Sequence, residues 1–119
     1  TSKECGAVKR YLDVNFAEEI TLDLLAQRTN LNKYYLVHAF TRAHGISPIN
    51  YLIGRRIEVA KGLLENSDQS IAQIAANVGF SSQSYFSQSF RRLTGATPAQ
   101  YRRRVRHADG AQSRLTAGS

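Results

Sequence analysis

Residues 71–101, IAQIAANVGFSSQSYFSQSFRRLTGATPAQY, contain two short apolar series of helical spacing separated by a turn. The first series stops at Gly79, where a residue that tolerates positive φ is expected to end the helix. Ser81 and Ser82 then offer N-cap oxygens, and the second series runs to Gly95. A small alanine four residues before the turn glycine lets the two helices cross closely, so the stretch predicts a helix-turn-helix. The apolar residues are Ile71, Ile74, Ala75 and Val78, then Tyr85, Phe86, Phe90 and Leu93.

A second copy of this unit lies earlier, at about residues 21–45. Four of its positions precede their counterparts by 49 residues, and six further positions precede theirs by 50. Such a repeat indicates one supersecondary unit used twice. In the earlier copy Asn30 takes the turn position of Gly79, and Asn32 is the expected N-cap. The matched pairs are Leu22 with Ile71, Leu25 with Ile74, Ala26 with Ala75, Leu31 with Phe80, Leu36 with Phe86, Phe40 with Phe90, Arg42 with Arg92, Gly45 with Gly95, Pro48 with Pro98, and Tyr51 with Tyr101.

Residues that end and begin helices predict the connections between these copies. Each copy ends in glycine, a small hydroxyl residue and proline, which together end one helix and begin the next. A connecting helix at about 48–65 follows the first copy, and at 1.5 Å per residue it would span roughly 27 Å. Its Gly54 and Gly62 are expected to mark close packing against a neighbouring helix. Ser70 is placed to cap the helix of the later unit, at about 70–95.

Both ends of the chain carry further predictions. A first helix with apolar residues Val8, Tyr11, Leu12, Val14 and Phe16 is expected to cover the first unit. At the other end a last short helix is expected to finish within the basic run RRRVR, and residues 107–119 to form a polar tail. The arginines of that run fit either the negative pole of a helix or phosphate contact.

Charge and composition favour a polyanionic partner. The 119 residues carry a net charge of +7, and acidic residues are absent between Asp23 and Glu58 and again between Asp68 and Asp109. The single cysteine, Cys5, excludes an internal disulfide and a multi-cysteine metal site, which fits a cytoplasmic location. No apolar run is long enough for a membrane span, and no signal peptide opens the chain. A sequence without methionine is expected to be a fragment of a longer protein.

The outward faces of the second helices suggest what the polyanion is. The later copy presents Gln83, Ser84, Ser87 and Gln88, whose amides and hydroxyls can pair with base edges in duplex DNA. A solvated polar face is the alternative interpretation of these four residues. The earlier copy presents a more mixed face of Lys33, Tyr34, Val37, His38 and Thr41, on which His38 also fits an ordinary surface histidine.

The segments SIAQIAANVGFSSQSYFSQSFRRLTGATPAQYR and LAQRTNLNKYYLVHAFTRAHGISPINYL resemble the DNA-binding domain of the AraC/XylS family of bacterial transcription regulators. The likeness runs from about Val8 to Arg104. It implies an all-α domain over residues 1–106, with about seven helices and two helix-turn-helix units joined by a long central helix. It also implies two reading helices in successive major grooves on one face of the DNA.

Carried over by position, the resemblance assigns contact residues on each reading helix. His38 and Gln88 stand where an arginine is common in the family, and Gln88 could pair with adenine instead of guanine. Helix N-termini and nearby basic residues would set the register on phosphates. The base-reading residues are Tyr34, Val37, His38, Gln83, Ser84, Ser87 and Gln88. The phosphate-contacting residues are Asn32, Lys33, Arg42, Ser82, Arg91 and Arg92.

The resulting hypothesis is a sequence-specific DNA-binding module that regulates bacterial transcription, without cofactor or metal. The sequence shows no convergent catalytic set, so an enzyme is not expected. The alternative is a DNA-targeting module of a larger DNA-repair or other enzyme. The family alone implies activation through RNA polymerase, and an effector and dimerisation domain before Thr1. A lipid-binding module is disfavoured because no long basic amphipathic face is present.

Overall fold

The computed structural model describes residues 2–117, and the side chains of residues 2–108. Within this range it contains seven helices and no strand, which confirms the predicted all-α fold. The chain divides into two compact units, with the boundary between Arg56 and Ile57. The helices are α1 (Ser2–Asn15), α2 (Leu22–Thr29), α3 (Lys33–His44), α4 (Pro48–Asn66), α5 (Ile71–Asn77), α6 (Gln83–Thr94) and α7 (Pro98–Ala117).

Side-chain caps begin the helices of both helix-turn-helix units. Thr21 Oγ1 accepts from the Leu24 amide at 3.1 Å, and Asn32 Oδ1 accepts from the Tyr35 amide at 2.9 Å. Ser70 forms a full capping box, in which Gln73 returns a bond to the Ser70 amide. The caps predicted at Asn32 and Ser70 are confirmed. They satisfy amides that have no partner inside the helix.

Residues with positive φ end the same helices. Asn30 has φ of 58°, and Gly79 has φ of 99° at the equivalent turn of the second unit. Gly45 and Gly95 end α3 and α6 with φ of 76° and 84°. Because this region is costly for most side chains, the structure accounts for the glycines and asparagine found there.

The first unit packs α1, α2 and α3 around one apolar cluster. Val14 was predicted to belong to its apolar face, and that prediction is wrong, because Val14 is 77% exposed in the last turn of α1. Cys5 is a buried position on α1 that the helical pattern had not assigned to the core. The buried members of the cluster are Cys5, Val8, Leu12, Ile20, Leu25, Leu36, Phe40 and Leu52.

A series of aromatic rings organises the core of the second unit. Phe80, in the turn, lies 5.3 Å from Phe86 by ring centroids, Phe86 lies 5.8 Å from Phe90, and Phe90 lies 5.3 Å from Tyr101. Phe80 is buried, and its amide donates to Ala75 O at 2.9 Å, so it fixes the corner between α5 and α6.

Two residues of the predicted apolar series on α6 are not core residues. Leu93 is 50% exposed and lies in the last turn of α6 beside the exposed Arg91 and Arg92. Tyr85 is 41% exposed and rests edge-on against Phe80. The helical period gives the direction of a side chain, whereas its burial depends on what packs above it.

Two further predictions are wrong. Gly54 and Gly62 do not mark close packing, since a Cβ at either position would meet no atom within 4 Å. The last helix does not end within the basic run RRRVR, since α7 runs to Ala117. Residues 107–117 contain no proline and several good helix formers, so the helix started at Pro98 can propagate through them. Residues 118 and 119 lie outside the described range.

Candidate nucleic-acid interface

Helices α3 and α6 are the second helices of the two helix-turn-helix units, and they match residue for residue. Each has 12 residues, an N-cap with a side-chain oxygen, and a left-handed glycine at its C-terminus. Lys33 and Gln83 begin them, so a residue of α3 corresponds to the residue 50 positions later on α6. The same helix positions can therefore be compared between the two units.

The structure brings the predicted base-reading residues together within each helix. On α3, Tyr34 and His38 are exposed and Val37 is half-buried. The α6 face has the same pattern, with Ser87 as its half-buried member. The exposed members on α6 are Gln83, Ser84 and Gln88.

The face of α3 is aromatic along its first two turns and carries Arg42 in its last turn. Tyr34 is 74% exposed, and its ring centroid lies 4.2 Å from that of His38, one turn along the helix. Together with Arg42 these residues line a groove whose other wall is Ser2 and Cys5 of α1. Burial raises the pKa of the Cys5 thiol, which favours the neutral form in this wall.

The face of α6 is uncharged along its first two turns. Gln83, Ser84 and Gln88 offer hydrogen-bond donors and acceptors without a formal charge. Arg91 and Arg92 follow in the last turn, and both are exposed. Neutral groups at the centre of the face and cations at its end suit contact with base edges flanked by phosphates.

The predicted phosphate-contacting residues at the helix starts already have partners. Asn32 and Ser82 use a side-chain oxygen to cap α3 and α6, which leaves the Asn32 amide hydrogens and the Ser82 hydroxyl hydrogen for an anion. Lys33 Nζ lies 3.0 Å from Asp23 Oδ1 of α2. The sequence alone did not reveal this pair because it depends on how α2 and α3 cross.

Two tyrosines at the start of the second helices were also missed. Tyr35 is 49% exposed and Tyr85 is 41% exposed, and they occupy the same helix position in the two units. The 50-residue offset could have paired them, but the apolar period had placed Tyr85 in the core. Both add aromatic surface next to the capped helix N-termini.

The basic run of α7 divides into two kinds of arginine. Arg102 donates to Leu64 O at 3.1 Å and to Ser67 O at 3.2 Å, so it serves the C-terminal end of α4. Arg106 pairs with Asp68 at 3.2 Å. Arg103 and Arg104 are exposed. The sequence suggested that arginines of this run stabilise the negative pole of a helix. This applies to Arg102, but the helix is α4, whose Leu64 carbonyl it caps.

Two features are absent from the described part of the chain, a metal-holding cluster and a membrane-spanning helix. Among the side chains of residues 2–108, no cluster of three or more His, Cys, Asp or Glu is arranged to hold a metal ion. None of the helices within residues 2–117 combines the length and apolar composition that crossing a bilayer requires.

Known proteins resemble this chain both in sequence and in fold. The model of the helix-turn-helix domain family matches residues 25–104. The regulator YdiP of Escherichia coli K12 is 38% identical over 106 residues, which cover 89% of this chain and 35% of YdiP. AdaA of Bacillus subtilis strain 168, described as a transcriptional activator and DNA repair enzyme, is 34% identical over 95 residues, covering 80% of this chain and 45% of AdaA. The chain thus spans about a third to a half of the length of these relatives.

A solved structure gives the most direct comparison with DNA-bound protein. The DNA-binding domain of the transcriptional factor AdpA, crystallised with a target DNA, superposes with a TM-score of 0.83 at 30% identity, over 87% of this chain and 94% of that one. The family match covers most of the chain, and the relatives are mainly transcription regulators. By family match, sequence identity and fold, this chain belongs to the AraC family of transcription regulators and is an AraC-type helix-turn-helix DNA-binding domain.

Proposed function

We propose that this domain reads double-stranded DNA at two sites, with α3 in one major groove and α6 in the next. The observation that carries the proposal is the pair of exposed faces at equivalent positions of two equivalent helices. Major-groove segments one turn apart lie roughly 34 Å from each other, so one chain would read both halves without dimerising. The DNA complex of AdpA supports duplex DNA as the ligand class.

Different residues carry affinity and specificity in this proposal. Base readout falls to Tyr34, Val37 and His38 in the first unit, and to Gln83, Ser84, Ser87 and Gln88 in the second. The phosphate contacts fix the register of the helices and carry most of the salt dependence. They fall to Asn32, Lys33, Arg42, Ser82, Arg91 and Arg92.

The biological role follows from the family. We infer that the domain, over residues 1–106, directs a bacterial regulator in the cytoplasm to its promoters, where the regulator activates transcription by contact with RNA polymerase. The relatives are longer than this chain, and the inferred effector and dimerisation domain would occupy the sequence before Thr1. Regulation is preferred over DNA repair because most relatives are regulators. Transcription reactions with purified polymerase and a promoter carrying the selected site would test this role.

Selection of bound duplexes from a random DNA pool tests the proposed readout directly. We expect a motif in two halves, with centres about 10 base pairs apart. His38→Ala should relax base preference in one half only, and Gln88→Ala in the other. Both side chains are exposed, so neither variant should perturb folding.

A matched control separates base readout from general loss of binding. Gln27→Ala removes an exposed glutamine on α2, near the phosphate-contacting Asn32 and Lys33 but outside the base-reading residues, and should leave the selected motif unchanged. If the selection yields no motif, and every duplex binds with an affinity that varies only with salt concentration, the domain is a non-specific binder.

A further inference from the structure

We infer that the two halves of the DNA site are read by different chemistry, with α3 recognising thymine methyl groups and α6 recognising adenine edges. This inference rests on the proposed function. It assigns Tyr34 as the specificity residue of the first half and the two glutamines Gln83 and Gln88 as those of the second. Because α3 and α6 have the same length, a side-chain N-cap and a glycine C-cap at matching positions, the inference compares the side chains on their exposed faces.

The first two turns of α3 would present mainly carbon surface to the major groove of DNA. Tyr34 leaves 74% of its surface exposed, and the ring of His38, 4.2 Å away by centroids, extends the same aromatic surface. Val37 adds a methyl-bearing side chain beside them. The segment from Lys33 to Val37 contains no guanidinium or side-chain amide that could form a bidentate pair with a base.

The two cations of α3, Lys33 and Arg42, are not placed to make a bidentate contact with a base instead. Lys33 is held at 3.0 Å by Asp23, which offsets its charge at the start of the helix. Arg42 lies eight residues after Tyr34, or about 12 Å along the helix axis, toward the phosphates at the end of the reading face. The exposed aromatic surface between them therefore faces the groove without a competing charged group among the predicted base readers.

The thymine C5 methyl is the apolar group that the major groove displays, and it is the natural partner of such a surface. Burial of one methyl group against an apolar side chain corresponds to about a fourfold gain in affinity. Several thymines in the first half would add to this effect. The partner chemistry is thus a T-rich segment of duplex DNA.

The face of α6 calls for hydrogen bonds instead. Gln83 and Gln88 are exposed, and a glutamine amide matches the N6 and N7 atoms of adenine with two hydrogen bonds. Ser84 occupies the position of Tyr34, so the Tyr34 ring has no counterpart at that position of α6. Loss of one of the two bonds, with its partner left unpaired, should weaken binding by about tenfold.

Single-atom changes in the DNA can test both assignments. The probe is the tightest duplex recovered from the random pool. In one series deoxyuridine replaces each thymidine of one half, which removes only the methyl group. In the other series 7-deazaadenine replaces each adenine, which removes only the N7 acceptor.

An independent marker first assigns each half to its helix. Ala43→Cys and Leu93→Cys each introduce a thiol to which an iron chelate is attached. The two positions are exposed, equivalent on α3 and α6, and outside the proposed contact residues. The native Cys5 is 1% exposed, so the chelate should attach at the new position. The DNA cleavage pattern of each conjugate then identifies the half bound by each helix.

We expect deoxyuridine to weaken binding by about fourfold per contacted methyl in the α3 half, and by less than about twofold in the α6 half. We expect 7-deazaadenine to weaken binding by about tenfold in the α6 half and little in the α3 half. Tyr34→Ala should abolish the deoxyuridine effect, whereas Tyr34→Phe, which keeps the ring, should retain it. Val14→Ala, at an exposed residue of α1 outside the proposed contact residues, is the control and should leave both series unchanged.

The outcomes separate the two proposals. Specific binding that is indifferent to methyl removal in the α3 half, or a deoxyuridine effect that persists in Tyr34→Ala, would overturn this inference alone. Failure to select any specific duplex would overturn the proposed function as well.

Discussion

Arg56 and Arg106 lie 50 residues apart and make the same contact in the two units. Arg56 Nη2 donates to Glu18 O at 2.8 Å, and Arg106 Nη2 donates to Ser67 O. Each acceptor lies in the segment that leads into a helix-turn-helix, and each arginine lies on the helix that follows one. The repeat therefore includes the flanking helices, and in each unit an arginine ties the segment before the helix-turn-helix to the helix after it.

The two arginines should differ in their contribution to stability. Arg56 is 7% exposed and also donates through Nε to Phe16 O at 2.7 Å. Arg56→Ala takes a buried guanidinium away from two partly buried hydrogen bonds and should lower the free energy of unfolding by about 2 kcal/mol. Arg106 has a side chain that is 40% exposed, so water can replace its contacts and Arg106→Ala should cost about 0.5 kcal/mol. Urea denaturation followed by circular dichroism measures both values.

A conservative variant identifies the origin of the Arg56 effect. Arg56→Lys keeps the charge but cannot reproduce the fork of donors, so it should recover only part of the lost stability. Equal losses for Arg56→Ala and Arg106→Ala would contradict the role of burial.

Glycines of this chain should respond to alanine in opposite directions according to their backbone conformation. Gly95→Ala forces a Cβ into a left-handed residue of φ 84° and should lower the free energy of unfolding by about 1 kcal/mol. Gly54 and Gly62 lie inside α4 with open space where a Cβ would stand, so alanine at either position should raise it by about 0.5–1 kcal/mol. Thermal and urea unfolding of the three single variants tests the contrast. A destabilised Gly62→Ala would restore the close-packing interpretation.

Features that depend on a few neighbouring residues could be predicted from the sequence. A cap such as Thr21 or Ser70 needs only the amide three residues later, and a turn residue such as Asn30 needs only its own φ. The repeat extended these local predictions to both units. The helix order and the exposed faces of α3 and α6 followed from them.

Features that depend on distant residues could not be predicted. The Arg56 contacts join residues 38 and 40 positions apart, and the Lys33–Asp23 pair needs the crossing of two helices. Exposure of Leu93 depends on where the core ends, which the helical period does not contain. The extent of α7 was missed because a polar composition is compatible with helix as well as with irregular chain.

The Lys33–Asp23 pair should reduce the weight of Lys33 in DNA binding. Each phosphate neutralised by a cation contributes about 0.9 to the slope of log affinity against log salt, and Arg42→Ala should remove that amount. Lys33→Ala should remove less, because Asp23 Oδ1 lies 3.0 Å from the lysine amine and already offsets its charge. Fluorescence anisotropy titrations of one selected duplex at several salt concentrations give the slopes.

Asp23→Asn is the control for this pair. It frees the lysine and removes a negative charge near the DNA, so affinity at low salt should rise. In that background Lys33→Ala should then show the full loss of slope. Identical slopes for Lys33→Ala with and without Asp23 would mean that the pair opens completely on binding.

Tyr51 should make the first unit sensitive to alkaline pH. Its hydroxyl donates to Asp13 Oδ1 at 2.5 Å, and partial burial, then the hydrogen bond to Asp13 and the charge of Asp13, raise the pKa of Tyr51 above its usual value. The neutral phenol is thus favoured in the folded state, so the stability it provides is complete below the unfolded pKa of about 10 and is lost as pH rises through the folded pKa.

Tyr51→Phe has no such proton, and at pH 7 its free energy of unfolding should be about 1 kcal/mol lower than that of the unchanged chain. That difference should shrink above about pH 10, where unfolding releases the Tyr51 proton. Urea denaturation of both proteins at several pH values measures it, and the other five of the six tyrosines titrate in both and cancel. A difference that stays constant across the alkaline range would show that the Tyr51 proton is not linked to folding.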